Sequence, residues 1–167
     1  LREVGHPRCD PLGAGLSDVT SATIDAALEV ASRGVDGLPP LAIIAMGRWG
    51  GRELSYSSDA DAIFVIADTD DPDATRAALS VIGTLRRLLA QPGPDPALEI
   101  DVDLRPEGKG GPMVRTLSSY RAYYAKWAST WESQALLRAG VGAGDRELGA
   151  EFLADVDVAR KYPARLA

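Results

Sequence analysis

Four aspartates in two pairs carry the most chemistry in this 167-residue chain. Asp59 and Asp61 open the run "DADAIFVIA", and Asp101 and Asp103 lie within "ALEIDVDLR". Both runs read as strands, whose successive side chains point to opposite faces, so each pair projects its carboxylates to one side. Aspartate is depleted in strands and costly to bury without a partner. If the two strands are neighbours, three or four like charges converge, which is tolerable only when protons are taken up or cations bound. A cluster of oxygen donors with no His or Cys suits Mg2+, which keeps water and substrate phosphates among its ligands. The bland alternative leaves these acids at strand ends in solvent.

Other motifs are excluded by their spacing. A calcium loop beginning at Asp59 or Asp68 fails, because Phe64 and Asp73 occupy the position that needs Gly, and Asp70 and Leu79 the position that needs Glu. The glycines of "GRWGG" spell neither a phosphate loop ending in Gly-Lys-Ser/Thr nor a dinucleotide G-x-G-x-x-G. Arg105 and Lys109, at the glycine-rich "PEGKGGP", are placed to meet phosphates or, equally, to face solvent from a loop.

Positioning these residues requires strands held by helices. "SDVTSATIDAALEVASRG" predicts a helix from about Val19 to Arg33, "LAIIAM" a buried strand, "GRWGG" a turn, and the run from Ala60 to Ala67 a second strand. "DTDDPD" and "ATRAALSVIGTLRRLLA" predict a turn and an amphipathic helix. "ALEIDVDLR" is the third strand, with Arg105 continuing the face of Asp101 and Asp103. "LSSYRAYYAKWASTWESQALLRA" has helical period, its Tyr120, Tyr123, Tyr124, Trp127 and Trp131 packing as the core side of one helix, and a last helix spans roughly Arg146 to Val156. The expectation is an α+β (mixed α/β) domain: an irregular segment over 1–16, a catalytic unit over 17–140 built on a small mixed sheet flanked by helices, and a helical extension over 141–167.

Composition narrows the function classes. A net charge of −6 argues against general affinity for nucleic acid, and no apolar run approaches membrane-spanning length. A single cysteine, Cys9, excludes an internal disulfide, and with His6 the only histidine there is no His/Cys zinc cluster. The start at Leu1, without a basic and apolar leader, reads as a piece of a longer cytoplasmic chain.

A glycine turn, a Ser-rich approach, an Asp-x-Asp pair and a later strand carboxylate resemble the nucleotidyltransferase superfamily typified by DNA polymerase beta. "GRWGGRELSYSSDADAIF", "EIDVDLRPEGKGGPMVRT" and "WESQALLRAG" together resemble the glutamine synthetase adenylyltransferase family, from about Ser17 to the C-terminus. The resemblance implies a nucleotidyltransferase fold in which Asp59 and Asp61 are the metal-binding pair and Asp101 the third carboxylate. It implies two Mg2+ ions, or Mn2+, with ATP as substrate. Gly50 and Gly51 would then approach the triphosphate, and Ser57 or Ser58 would bond a phosphate oxygen. Asp101 is also a candidate base for the attacking hydroxyl, and the part of Asp103 stays open. Glutamine synthetase is the implied acceptor, modified on a tyrosine, and a PII signal protein the implied regulator of the longer enzyme. The family joins an adenylylating domain to a homologous one that removes AMP by phosphorolysis; "WESQALLRAG" and "AEFLADVDVARKYPARL" look more like the adenylylating copy. Gly140 departs from the pattern, standing where a second Arg is expected. A small-molecule nucleotidyltransferase and a non-catalytic binding module are the rival classes.

Overall fold

The apolar runs become the centre of a sheet because each has nonpolar neighbours on both faces. The computed structural model describes residues 11–56, 58–93, 97–126 and 130–161. In chain order the elements are α1 (Pro11–Ser32), β1 (Leu41–Ala45), α2 (Gly47–Gly50), β2 (Ala60–Ile66), α3 (Pro72–Leu89), β3 (Ile100–Asp101), a 3-10 turn (Gly108–Gly110), β4 (Val114–Thr116), α4 (Leu117–Lys126), α5 (Thr130–Leu136), β5 (Gly140–Gly144) and α6 (Arg146–Lys161). The sheet runs β3-β2-β1-β5. β1 is antiparallel to both β2 and β5. β3 and β4 lie parallel to β2, β3 against Ala60 and Asp61 and β4 against Phe64 to Ile66.

Strand alternation divides the core into two layers. Leu41, Ile43 and Ala45 of β1, with Ala62, Phe64 and Ile66 of β2, pack on Ile24 and Leu28 of α1 and Ala78, Val81, Ile82 and Leu85 of α3. Ala42, Ile44, Ile63 and Val65 face the other way, onto Tyr120 and Tyr124 of α4, Leu136 of α5 and Leu148 and Phe152 of α6. The result is an α+β architecture with a small mixed sheet between helices. α3 starts as its sequence demands: Asp71 caps it by accepting the Asp73 N–H at 2.8 Å, and Pro72 takes the first turn, where no amide partner is needed.

Several expectations are corrected. α1 already includes residues 11–16, which are helical; Gly13 and Gly15 weaken the local signal there, and packing on α3 supplies what propensity lacks. "GRWGG" contains one helical turn, α2. The third strand ends at Asp101 because its Oδ1 accepts the Asp103 N–H at 2.7 Å, an Asx turn that bends the chain out of the sheet. Asp103 and Arg105 therefore do not continue its face. Not all of the aromatic residues lie on the core side: Tyr120 and Tyr124 of α4 are buried, whereas Trp131 of α5 is 48% exposed, and Trp127 lies outside the described residues. The division at 140/141 falls inside β5, which pairs with β1, and α6 covers the same sheet. His6 and Cys9 lie outside the described residues.

Candidate active site

The site is built at the sheet edge where β2 meets β3. Asp61 and Asp101 are direct partners in the parallel register, on adjacent strands. Both are half-buried, while Asp59, just before β2, is exposed. Burial, the Asp101 charge and the Asp59 charge, in that order, raise the Asp61 carboxyl above its ordinary value. Asp101 Oδ1 is engaged by the Asp103 amide, which leaves Oδ2. A polar cleft of about 240 Å³ runs past Asp59, Asp101 and Asp103, with Arg86 and Lys109 also in its wall.

One decisive neighbour escapes sequence reading. Gly47, at φ +52°, brings its backbone against Asp61: a Cβ built there collides with Asp61 Oδ2. Gly50 and Gly51, the glycines singled out in the sequence, are in close packing. A Cβ at Gly50 collides with the carbonyls of Arg138 and Ala45, and one at Gly51 lies 3.2 Å from Arg138 Cδ, so both let α2 pack on the segment entering β5. The positive φ of Gly47 is the physical requirement, and the cluster "GRWGG" alone does not say which of its glycines meets it.

The Ser-rich approach is organised by Arg48, a second residue the sequence did not flag. Its guanidinium donates to Glu53 O at 3.0 Å, Ser55 Oγ at 3.2 Å and Ser58 Oγ at 3.1 Å. Ser58 is thereby held one residue from Asp59, whereas Ser57 lies outside the described residues. Arg105 is buried, donating to Val102 O at 2.7 Å and Gly111 O at 3.1 Å, so its guanidinium fastens the loop after β3. Lys109 is the exposed cation of that loop, 3.2 Å from Asp103 Oδ2. Asp103 thus sits between Lys109 and Arg105, at 3.8 Å from the latter. At the far end of the helical pair, Glu132 is buried and accepts from Tyr123 Oη at 2.7 Å; burial first, then Glu132, pushes that phenol up to about 12. Gln134 is exposed, and Arg138 pairs with Glu53 at 2.5 Å.

The donor set fits a hard divalent cation. Every candidate donor is a carboxylate oxygen, and repulsion toward Asp61 is the charge a cation relieves. Among the described residues no three acids are already closed around one point. Mg2+ does not require such a cage, since it is bound through one or two carboxylates with water and substrate phosphates completing the shell.

A family model described as glutamate-ammonia ligase adenylyltransferase matches residues 12–155. The chain belongs to that family. Curated relatives named bifunctional glutamine synthetase adenylyltransferase/adenylyl-removing enzyme include one from Cutibacterium acnes, 60% identical over 153 residues, covering 92% of this chain and 15% of the relative. Others come from Streptomyces avermitilis, 52% identical over 93% of the chain and 16% of the relative, and Mycobacterium bovis, 51% identical over 89% and 16%. The chain spans 15–16% of the length of these relatives. The family's model ends inside α6, so β5 and most of α6 belong to the shared unit. Among the described residues no helix is long and apolar enough to cross a membrane.

Proposed function

We propose that this chain is a nucleotidyl-transfer domain that moves AMP from ATP to a tyrosine hydroxyl of glutamine synthetase and releases pyrophosphate. The observation that carries the reading is the pairing of Asp61 with Asp101 across β2 and β3, in a chain of this family. The relatives' names supply the acceptor and the two opposed activities. The adenylylating copy is preferred on the wording of residues 131–140 and of the C-terminal tail.

Asp59, Asp61 and Asp101 would hold Mg2+, in two sites if the two-metal pattern applies. Bound Mg2+ would neutralise phosphate charge and keep the attacking and leaving oxygens in line. Gly47 fixes where Asp61 stands. Asp101 Oδ2 is the atom available to take the proton of the attacking hydroxyl, whose ordinary pKa near 10 requires such help. The acceptor oxygen bonds to the α-phosphorus as the bond to the pyrophosphate oxygen breaks, and pyrophosphate carries away the electron pair. Lys109, on an exposed turn at the cleft, supplies positive charge to the leaving phosphates. The regulatory PII protein is assigned to the longer enzyme.

Incubation of the chain with labelled ATP, Mg2+ and purified glutamine synthetase tests the reading. Label on one synthetase tyrosine by mass spectrometry is expected, and Asp101→Asn should impair transfer more than ATP binding. If the chain instead strips AMP from modified synthetase in phosphate and never adds it, the adenylyl-removing assignment replaces the present one.

A further inference from the structure

Beside the carboxylate cleft, a second and larger depression of about 710 Å³ runs between α3 and the free edge of β3, lined by Leu79, Arg86, Arg87, Leu98, Ile100 and Met113 among others. The two depressions share Arg86, Glu99 and Ile100, so the apolar groove opens into the catalytic cleft. We infer, on the basis of the transfer proposed above, that this groove receives an extended, acidic segment of glutamine synthetase next to the residue to be modified.

Three observations select that occupant. First, β3 is the terminal strand on its side of the sheet and, among the described residues, no strand pairs with its outer edge where the groove lies. Glu99 O accepts the Ala60 N–H, so strand alternation turns both polar groups of Ile100 away from β2 and toward the groove. Two residues earlier the edge is closed, the Leu98 N–H donating to Leu89 O at 3.1 Å. An extended peptide paired at Ile100 lies one strand spacing, about 4.8 Å, from β3, and its next residues pass Asp101. Second, the groove's apolar walls, with Leu79 41% exposed and Met113 half-buried, give alternate side chains a place to bury.

Third, charge sets the chemistry of the segment. In a chain of net charge −6, Arg86 and Arg87 stand exposed at the groove, and neither forms an ion pair among the described residues. Arg87 spends donors only on Gly83 O and Thr84 Oγ1 of its own helix. Acidic side chains flanking the acceptor hydroxyl would meet these guanidinium groups, and the same charges would be repelled from the Asp59–Asp101 cleft itself. The segment is thereby held in one direction, with its acidic part over α3 and its hydroxyl toward Asp101.

Affinity of purified glutamine synthetase for the immobilised chain, in EDTA and without nucleotide, tests the groove separately from transfer. Arg87→Glu is expected to weaken binding at least tenfold, Arg87→Lys to restore it to within twofold, and both to leave Mg-ATP affinity unchanged. Binding by the wild-type chain should weaken with added salt. Wild-type affinity in Arg87→Glu, or no synthetase binding by the wild-type chain at all, overturns the inference. Loss of ATP affinity in Arg87→Glu would overturn it in favour of the nucleotide as occupant, and a wild-type dimer dissolved by the same change, seen by sedimentation, in favour of a second copy. Arg87-dependent binding without any AMP transfer would instead sink the proposed reaction and leave the groove standing.

Discussion

β2 is one strand with two halves of opposed chemistry. Its second half, Ile63 to Ile66, is buried on both faces and pairs with β4; its first half brings Asp61 beside Asp101 and pairs with β3. The same edge is continued by two strands separated by the loop that holds Arg105 and Lys109. Packing fixes the position of the strand, and the charge at its entry uses that fixed position. The difference shows why a carboxylate can be held half-buried: the apolar half supplies the stability that the acidic half forfeits.

The largest effects come from breaking each half in turn. Phe64→Ala removes a fully buried ring and is expected to lower unfolding free energy by about 3–5 kcal/mol, measured by urea denaturation, with activity falling as the folded fraction falls. Asp61→Asn is expected to do the reverse, abolishing transfer while circular dichroism stays at wild type. Full activity in Asp61→Asn would remove the proposed site.

Gly47 and Gly50 sharpen the comparison within a single turn. Gly47→Ala meets both a positive φ and Asp61 Oδ2, so transfer should be lost well beyond the modest backbone penalty of about 1 kcal/mol. Gly50→Ala presses on two backbone carbonyls, which cannot swing aside as a side chain can, so its effect should appear in melting temperature first. Equal losses of activity per folded molecule in the two variants would refute the assignment of different roles.

A smaller effect is read from pH. In the metal-free chain the Asp61 carboxyl is raised in the folded state, so the folded state holds more protons than the unfolded between the ordinary value of about 3.9 and that raised value. The stability contributed by its protonation is fully present below about 3.9 and lost as pH rises through the folded value. Without metal, Asp61→Asn should therefore melt above wild type at pH 7, with the gap closing toward acid. Mg2+ should narrow the gap at pH 7 by stabilising the wild type through binding. A pH-independent gap that Mg2+ leaves unchanged would count against a charged cluster.

The smallest expected effect is at Gly140. A Cβ there meets Gly50 O at an ordinary 3.6 Å, so Gly140→Arg should leave the unfolding free energy, measured by urea denaturation, within about 0.5 kcal/mol of wild type. A larger loss would show that this family member requires the smaller residue.

The sequence by itself determined β1, β2 and α3, because their apolar runs and capping residues are local signals that tertiary packing only reinforces. It also placed Asp61 and Asp101 in strand-like runs whose carboxylates converge if the strands are neighbours, a condition that the β2–β3 register meets. Only the tertiary structure decided the rest. β5, "GVGAG", carries residues depleted in strands and becomes one because β1 offers it an edge. β3 stops at Asp101 because a side-chain hydrogen bond competes with the ladder, and that bond turns Asp103 and Arg105 out of the face the alternation assigned them. Gly47 emerges as Asp61's neighbour for the same reason: backbone angle and the approach of a residue from another strand are properties of the folded chain, and neither is written in the spacing of its glycines.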